Sequence, residues 1–335
     1  MIVIMSMIYN LNGIMPSRDI VEFIADNINL FPIDTKDLHI LVNTSPDEEF
    51  EYVRQKTFDG ELDLFIFVGS PVAYTEQNMR STVGICLYLA KKSIYCTNDY
   101  KLKPPSQCKS GALKEFADYK GESKDYYGFD YVVSTLPNLL YKGTSLYVNW
   151  NMSVFDMSYP LDDYDMRQDG LLYFGAFRNE RRPLFEKYLD SIDYDVIISC
   201  SSGPYTLDNF KSVAPFAQYV KKLTSESFQN YKATIIIEDP YSNKNFTSLP
   251  TRFYECLAYG IVMFFDESMI FNLDNSHILD YQEYIVHNEL ELAEKLKEYD
   301  LEYHARKQRT SWLDNFREIL LDQWKDAIGI IYDEQ

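Results

Sequence analysis

Apolar positions along this chain follow two periods in turn, and the alternation predicts its elements. Short runs in which nearly every residue is apolar recur at Ile2–Ile8, Leu38–Val42, Leu62–Val68, Ser93–Cys96, Tyr131–Ser134, Thr144–Val148, Leu171–Phe174, Asp195–Cys200, Thr234–Ile237 and Ile261–Phe265. Runs of this length and β-branched content read as strands covered on both faces, the habit of parallel sheets. Helical spacing fills the gaps between them. Pro16–Leu30 turns Ile20, Val21, Phe23 and Ile24 inward, Arg80–Ala90 turns Val83, Ile85, Cys86 and Leu89 inward, and Pro250–Tyr259 is stopped by Gly260. Leu207–Leu223, His287–Tyr299 and Leu301–Ile330 are also helical by period. Alternating strands and helices imply parallel sheets with right-handed crossovers, so an α/β fold is expected. Asn151–Gly170 has no clear period and reads as a linker between two such halves.

Composition fits this picture. The chain has 335 residues, enough for two domains with full cores, and 46% hydrophobic with 25% charged residues is a globular balance. No apolar run reaches the roughly 18 residues of a membrane helix. The opening MIVIMSMIYNLNG lacks a basic leader and reads as a first strand, so no membrane partner and a cytoplasmic location are expected. Cys86, Cys96, Cys108, Cys200 and Cys256 form no CxxC pair and read as reduced core thiols. None of His39, His277, His287 and His304 falls in a metal-binding pattern.

Charge narrows the partners. A net charge of −19 argues against a protein that grips nucleic acid over a broad surface, because that affinity comes from phosphate neutralisation. One local exception exists. Lys101, Lys103, Lys109, Lys114, Lys120 and Lys124 stand against Glu115, Asp118 and Glu122, with Phe116, Tyr119, Tyr126 and Tyr127 interspersed. Such a stretch is either a solvated loop or a patch that meets backbone phosphate and offers rings to an extruded base.

Candidate chemistry gathers at strand ends, where α/β sheets bind their ligands. The helix after Thr234–Ile237 carries Arg252 and Glu255 in its N-terminal half, an arginine suited to phosphate and a carboxylate suited to vicinal sugar hydroxyls. An ordinary i, i+3 ion pair has the same spacing. After Leu171–Phe174 comes a glycine turn, Gly175-Ala176-Phe177-Arg178, and Arg182 shares a face with Arg178 at a helix N-terminus. Two cations in a first turn are unfavourable unless an anion is supplied, so the pair suits a diphosphate. Asp99, just past Ser93–Cys96, is either an Asx-turn or a general base. Asp19 sits in a first helical turn, where it complements the dipole.

Four ordered islands carry a resemblance: Pro16–Asp19, Thr97–Leu102, Gly175–Arg182 and Asn245–Asp266. Together they resemble the DNA β-glucosyltransferase family of T-even bacteriophages, within the GT-B glycosyltransferases. The family's Gly-Ser-Phe-Arg-x-x-x-Arg segment matches at Gly175, Phe177, Arg178 and Arg182, with Ala176 in place of serine. Its Asn-Phe loop before Arg-x-x-Glu matches at Asn245, Phe246, Arg252 and Glu255, with two extra residues between Phe246 and Arg252. Its Asp-x-Arg-Leu matches at Asp99, with Lys101 in place of arginine, and Asp19 stands where the family has a glutamate near the transferred sugar.

The resemblance implies a GT-B fold, two Rossmann-like domains with parallel sheets facing a central cleft. Residues 1–160 would form the acceptor-side domain and 171–310 the nucleotide-sugar domain, with a C-terminal helix over 311–335 crossing back. Trp312, Phe316, Leu320 and Trp324 would then pack on the first domain. It also implies an inverting transfer from a UDP-sugar, UDP-glucose first, to the hydroxymethyl group of a modified base in double-stranded DNA, by a monomer. Asp99 would be the base and Asp19 a sugar contact. Gly175, Arg178, Arg182 and Arg252 would hold the diphosphate, Glu255 the ribose, and Lys101, Lys103 and Lys109 the DNA. A divalent cation stays open, with no ligand site visible from spacing. Two other readings also stay open: the same donor chemistry on a polysaccharide, protein or small molecule, and a binding protein without catalysis.

Overall fold

The computed structural model describes residues 1–6, 16–31, 33, 37–42, 45–68, 77–97, 129–135, 145–157, 160–200, 204–220, 223, 225–238, 249–276 and 278–333. Among these, the residues up to Ser153 and those from Glu318 onward form one compact unit, and Val154–Arg317 form another.

The first unit is built on six parallel strands, β1 (Ile2–Ser6), β2 (Leu38–Val42), β3 (Leu64–Val68), β4 (Lys92–Thr97), β5 (Tyr131–Ser134) and β6 (Ser145–Tyr147), in the order β2-β1-β3-β4-β5-β6. β1 pairs in register with both neighbours, Ile2 with Leu38 and with Leu64, and is buried along its whole length, which accounts for the apolar run Ile2–Met5. Helices Pro16–Asn27, Asp47–Phe58 and Gln77–Leu89 make the crossovers. Phe65, Phe67, Tyr95 and Phe129 stack within one face of the sheet. On the helix Gln77–Leu89 the buried set is Val83, Cys86 and Leu87. Ile85 and Leu89 are half-buried, one step off the expected stripe.

The second unit carries β7 (Gln168–Phe174), β8 (Val196–Ser199), β9 (Gln218–Val220), β10 (Tyr231–Ile236), β11 (Val262–Asp266) and β12 (Ile285–Val286), also all parallel, in the order β12-β11-β10-β7-β8-β9. This is the doubly wound order of a dinucleotide fold. The order in which strands are added reverses between β7 and β10, which run parallel side by side while their connections lead off in opposite directions along the sheet. A crevice outside their carboxyl ends is the expected ligand position.

Three sequence expectations are corrected. Leu207–Leu223 is not one helix: the helix is Pro204–Lys211, and β9 follows as a three-residue edge strand. Pro215 lies between them, and a proline has no N–H to continue a helix. Asn151–Gly170 does contain the division between the two units, after Ser153, but it is more than a linker. It holds 3-10 turns at Trp150–Met157 and Tyr164–Met166, buries Met152, Val154, Leu161 and Tyr164, and runs directly into β7.

Leu301–Ile330, the third, is interrupted by a π-helical turn at Arg309–Leu313, so the helices on either side, Leu301–Gln308 and Phe316–Asp333, do not share one apolar face. Trp312 and Phe316 consequently stay in the second unit, Trp312 stacked on Phe253 at 5.7 Å and Phe316 against Tyr254 at 5.7 Å. Leu320 and Trp324 are buried in the first, where Gln323 Oε1 accepts the Asn149 N–H at 2.8 Å just past β6.

Candidate functional site

At the carboxyl end of β7 the chain turns at Gly175, whose φ of +138° is open to glycine and rarely to other residues. Phe177 anchors the turn by packing edge-on to Phe210 at 5.1 Å and against Phe185 at 5.3 Å. A 3-10 turn, Asn179–Arg181, then leads into the helix Arg182–Leu189, with Pro183 in its first turn. The three arginines of the segment part company here. Arg178 is exposed. Arg182 is half-buried, donates to Ser212 Oγ at 2.5 Å and lies 3.5 Å from Glu186, with its guanidinium 6.0 Å from the Phe177 ring. Arg181 turns inward, is 5% exposed, and pairs with Glu238.

Glu238 is the second residue after β10 and is itself only 7% exposed. It also pairs with Arg252, from the first turn of the helix Thr251–Tyr259. Arg252 spans the sheet reversal. Its Nη1 donates to the Tyr173 hydroxyl and the Phe174 carbonyl, both at 3.0 Å, and its Nη2 donates to the Ile237 carbonyl at 2.8 Å and to Glu238. The four terminal N–H groups thus meet four acceptors, two of them main-chain carbonyls at the ends of the adjacent strands β7 and β10. Burial opposes the arginine's charge, but Tyr173 and Glu238 beside it outweigh burial and hold its pKa above the ordinary arginine value.

The opposite end of the same helix is secured by cations. Gly260 takes the left-handed C-cap conformation at φ +63°. Arg167 donates to the carbonyls of Tyr259 at 2.8 Å and Gly260 at 3.1 Å, while Arg309, from the π turn, donates to Leu257 at 3.1 Å and to Ala258. Burial, with Arg167 and Arg306 nearby, pulls the Arg309 guanidinium down to about 10. Cations at a helix C-terminus complement its dipole, leaving the positive N-terminal end of Thr251–Tyr259 at the β7–β10 junction. Glu255 lies one turn in, half-buried on that helix.

Along the edge, at the end of β11, Asp266 is buried. It accepts from Lys187 Nζ at 2.8 Å, the Tyr188 hydroxyl at 2.6 Å and the Ser268 N–H at 2.9 Å. It thereby ties the helix Arg182–Leu189 to the neighbouring strand end.

Of the predicted donor residues, Gly175 and Arg252 are brought against each other at the β7–β10 junction; Arg178 and Arg182 follow in the turn after β7, and Glu255 lies three residues beyond Arg252 on its helix, all in the second unit. Asp99, Lys101, Lys103, Lys109, Asn245 and Phe246 lie outside the described residues, as does the Asp19 side chain, whose backbone is in the helix Pro16–Asn27. Sequence reading missed Arg181 and Glu238. The available signal was Glu238 itself, an acid directly after an apolar strand. Among the described residues no group of His, Cys, Asp and Glu is set to hold a metal ion, and no helix is long and apolar enough to cross a membrane.

No family model and no curated protein matches the sequence. Solved structures do match the fold. T4 phage BGT in complex with UDP and Mn2+ aligns with a TM-score of 0.62 and 16% identity over 98% of this chain and 99% of that one. T4 phage BGT with its UDP-glucose substrate aligns equally, at 0.62 and 16%. The DNA-modifying enzyme β-glucosyltransferase, with and without uridine diphosphoglucose, gives 0.61 and 16% over 98% of this chain and all of that one. The likeness establishes the fold, two parallel α/β sheets of the GT-B glycosyltransferase kind, and in that fold the chain resembles T4 phage BGT.

Proposed function

We propose that the protein is a UDP-sugar-dependent glycosyltransferase, with UDP-glucose as the leading donor, that transfers the sugar with inversion to the hydroxymethyl group of a modified base in DNA. The observation that carries this reading is the β7–β10 junction. There a glycine turn and two helix N-termini stand with four arginines, Arg178, Arg181, Arg182 and Arg252, two of which share the carboxylate of Glu238, at the point where a doubly wound sheet takes a nucleotide. Arg178 and Arg182 serve as the arms on the diphosphate. Arg252, its terminal N–H groups already engaged, adds charge from beneath and fixes the turn. Glu255 accepts from the ribose hydroxyls. Asp99 takes the proton from the acceptor hydroxyl as it attacks the anomeric carbon, Asp19 contacts the sugar, and Lys101, Lys103 and Lys109 meet DNA phosphate.

A second reading keeps the donor chemistry but changes the acceptor to a polysaccharide, protein or small molecule. The net charge of −19 favours it, since a duplex is repelled by all but a local patch. Mass spectrometry of nucleosides separates the two, after incubation of the protein and UDP-glucose with DNA carrying 5-hydroxymethylated pyrimidines. A hexose added to the modified nucleoside supports the DNA acceptor. Turnover of UDP-glucose with unaltered nucleosides removes it.

A further inference from the structure

Two arginines from different connections share one carboxylate behind the site. Arg181 comes from the turn after β7, Arg252 from the helix after β10, and Glu238 from two residues past the end of β10. Exposures of 5% for Arg181 and 7% for Glu238 place the trio almost out of water, with a net charge of +1. Charges held this far from solvent are costly unless their pairing is complete. Arg252 has three further acceptors in Tyr173, Phe174 and Ile237, so its place does not depend on Glu238 alone. The Gly175–Arg182 turn is tied across the sheet reversal through Arg181, and Arg181 reaches Glu238.

We propose that Glu238 is a positioning residue of the donor site: by bridging Arg181 to Arg252 it sets the distance between the Gly175–Arg182 turn and the helix Thr251–Tyr259, and so the reach of Arg178 and Arg182 to a nucleoside diphosphate. Glu238 acts through the arginines and does not touch the ligand. This rests on the donor-site reading above.

The sign of one substitution separates positioning from simple charge balance. Removing the carboxylate makes the trio more positive, and Coulomb attraction alone would then tighten UDP. A positioning role loosens it instead. The experiment measures UDP and uridine affinities by calorimetry or competition for the wild type, Glu238→Gln, and the double variant Arg181→Met with Glu238→Met. Replacing a buried ion pair by apolar residues of similar volume commonly leaves a fold intact, so the double variant serves where Glu238→Gln does not fold. UDP should weaken about tenfold or more in both variants, the scale of a lost charged hydrogen bond. Uridine, which lacks the diphosphate, should stay within about twofold, a selectivity that general loosening of the fold would not give. UDP bound as tightly as before, or more tightly, overturns the assignment, and so does equal loss of UDP and uridine. A wild type that binds neither compound removes the donor-site reading and this assignment with it. Wild-type binding whose UDP-to-uridine ratio the variants leave alone removes this assignment only.

Discussion

Gly175 makes room for Arg252: a Cβ built on the glycine would lie 2.8 Å from Arg252 Nη1 and 3.5 Å from the Tyr173 hydroxyl. Because Arg252 is pinned at four points, it cannot retreat, and φ at +138° adds backbone strain for any other residue. Gly175→Ala should therefore lower stability by about 1–3 kcal/mol, the usual cost of a residue held in a disfavoured conformation. Thermal melting followed by circular dichroism checks this. An unshifted midpoint would mean that the arginine is not fixed against the turn.

A lysine cannot replace Arg252. Its single ammonium carries three donors on a flexible stem, whereas the acceptors around Arg252 stand in the planar fork of a guanidinium. Arg252→Lys leaves at least one buried acceptor without a partner, and a broken buried pair costs about 3–5 kcal/mol. Urea denaturation should show a lower midpoint, and a wild-type midpoint would contradict the geometry.

How much of this could be read beforehand differs between the two sides of the junction. The strands and the helix ending at Gly260 were legible because runs buried on both faces are apolar throughout and because only glycine takes the C-cap conformation freely. Arg178, Arg182, Arg252 and Glu255 were legible as charges at strand ends. The inward turn of Arg181 was not. Its partner stands 57 residues away, and which of three neighbouring arginines faces inward depends on the 3-10 turn that precedes the helix. β9 and β12, three and two residues long at the sheet margins, carry too little pattern to stand out from helix or loop. The division of the C-terminal segment was hidden by a π turn, which leaves local composition unchanged while shifting the buried face.

Asp266 makes a prediction about acid. Burial alone would raise its pKa, but hydrogen bonds from Lys187, Ser268 and Tyr188 outweigh burial and hold it below the ordinary aspartate value of 3.8. A carboxyl whose pKa is depressed on folding contributes stability in full above its unfolded pKa and loses it as pH falls through the folded one. Asp266→Asn should lower stability at pH 7 and flatten the acid limb of the stability profile below about pH 4. Denaturation across that range reads both, and an acid limb as steep as that of the wild type would assign it to other groups.

Asp99→Asn tests the proposed base. A hydroxymethyl group is a weak nucleophile at neutral pH, so loss of the base should lower kcat by about 10²–10⁴ while UDP affinity stays within roughly threefold. Asparagine makes the same local turn as aspartate, so turnover near the wild-type rate on the acceptor that proves right would make Asp99 structural.

The most direct test of the donor site is calorimetry with UDP on the wild type, Arg178→Ala and Arg182→Ala. Arg178 and Arg182, the proposed arms, stand in the turn that follows β7, and removing either should weaken UDP by about 1.5–3 kcal/mol, the usual worth of a hydrogen bond to a charged group. A wild type that binds UDP, with both variants clearly weaker, is the predicted result. UDP affinity unchanged in both variants, or no binding by the wild type, would contradict a diphosphate site at this junction.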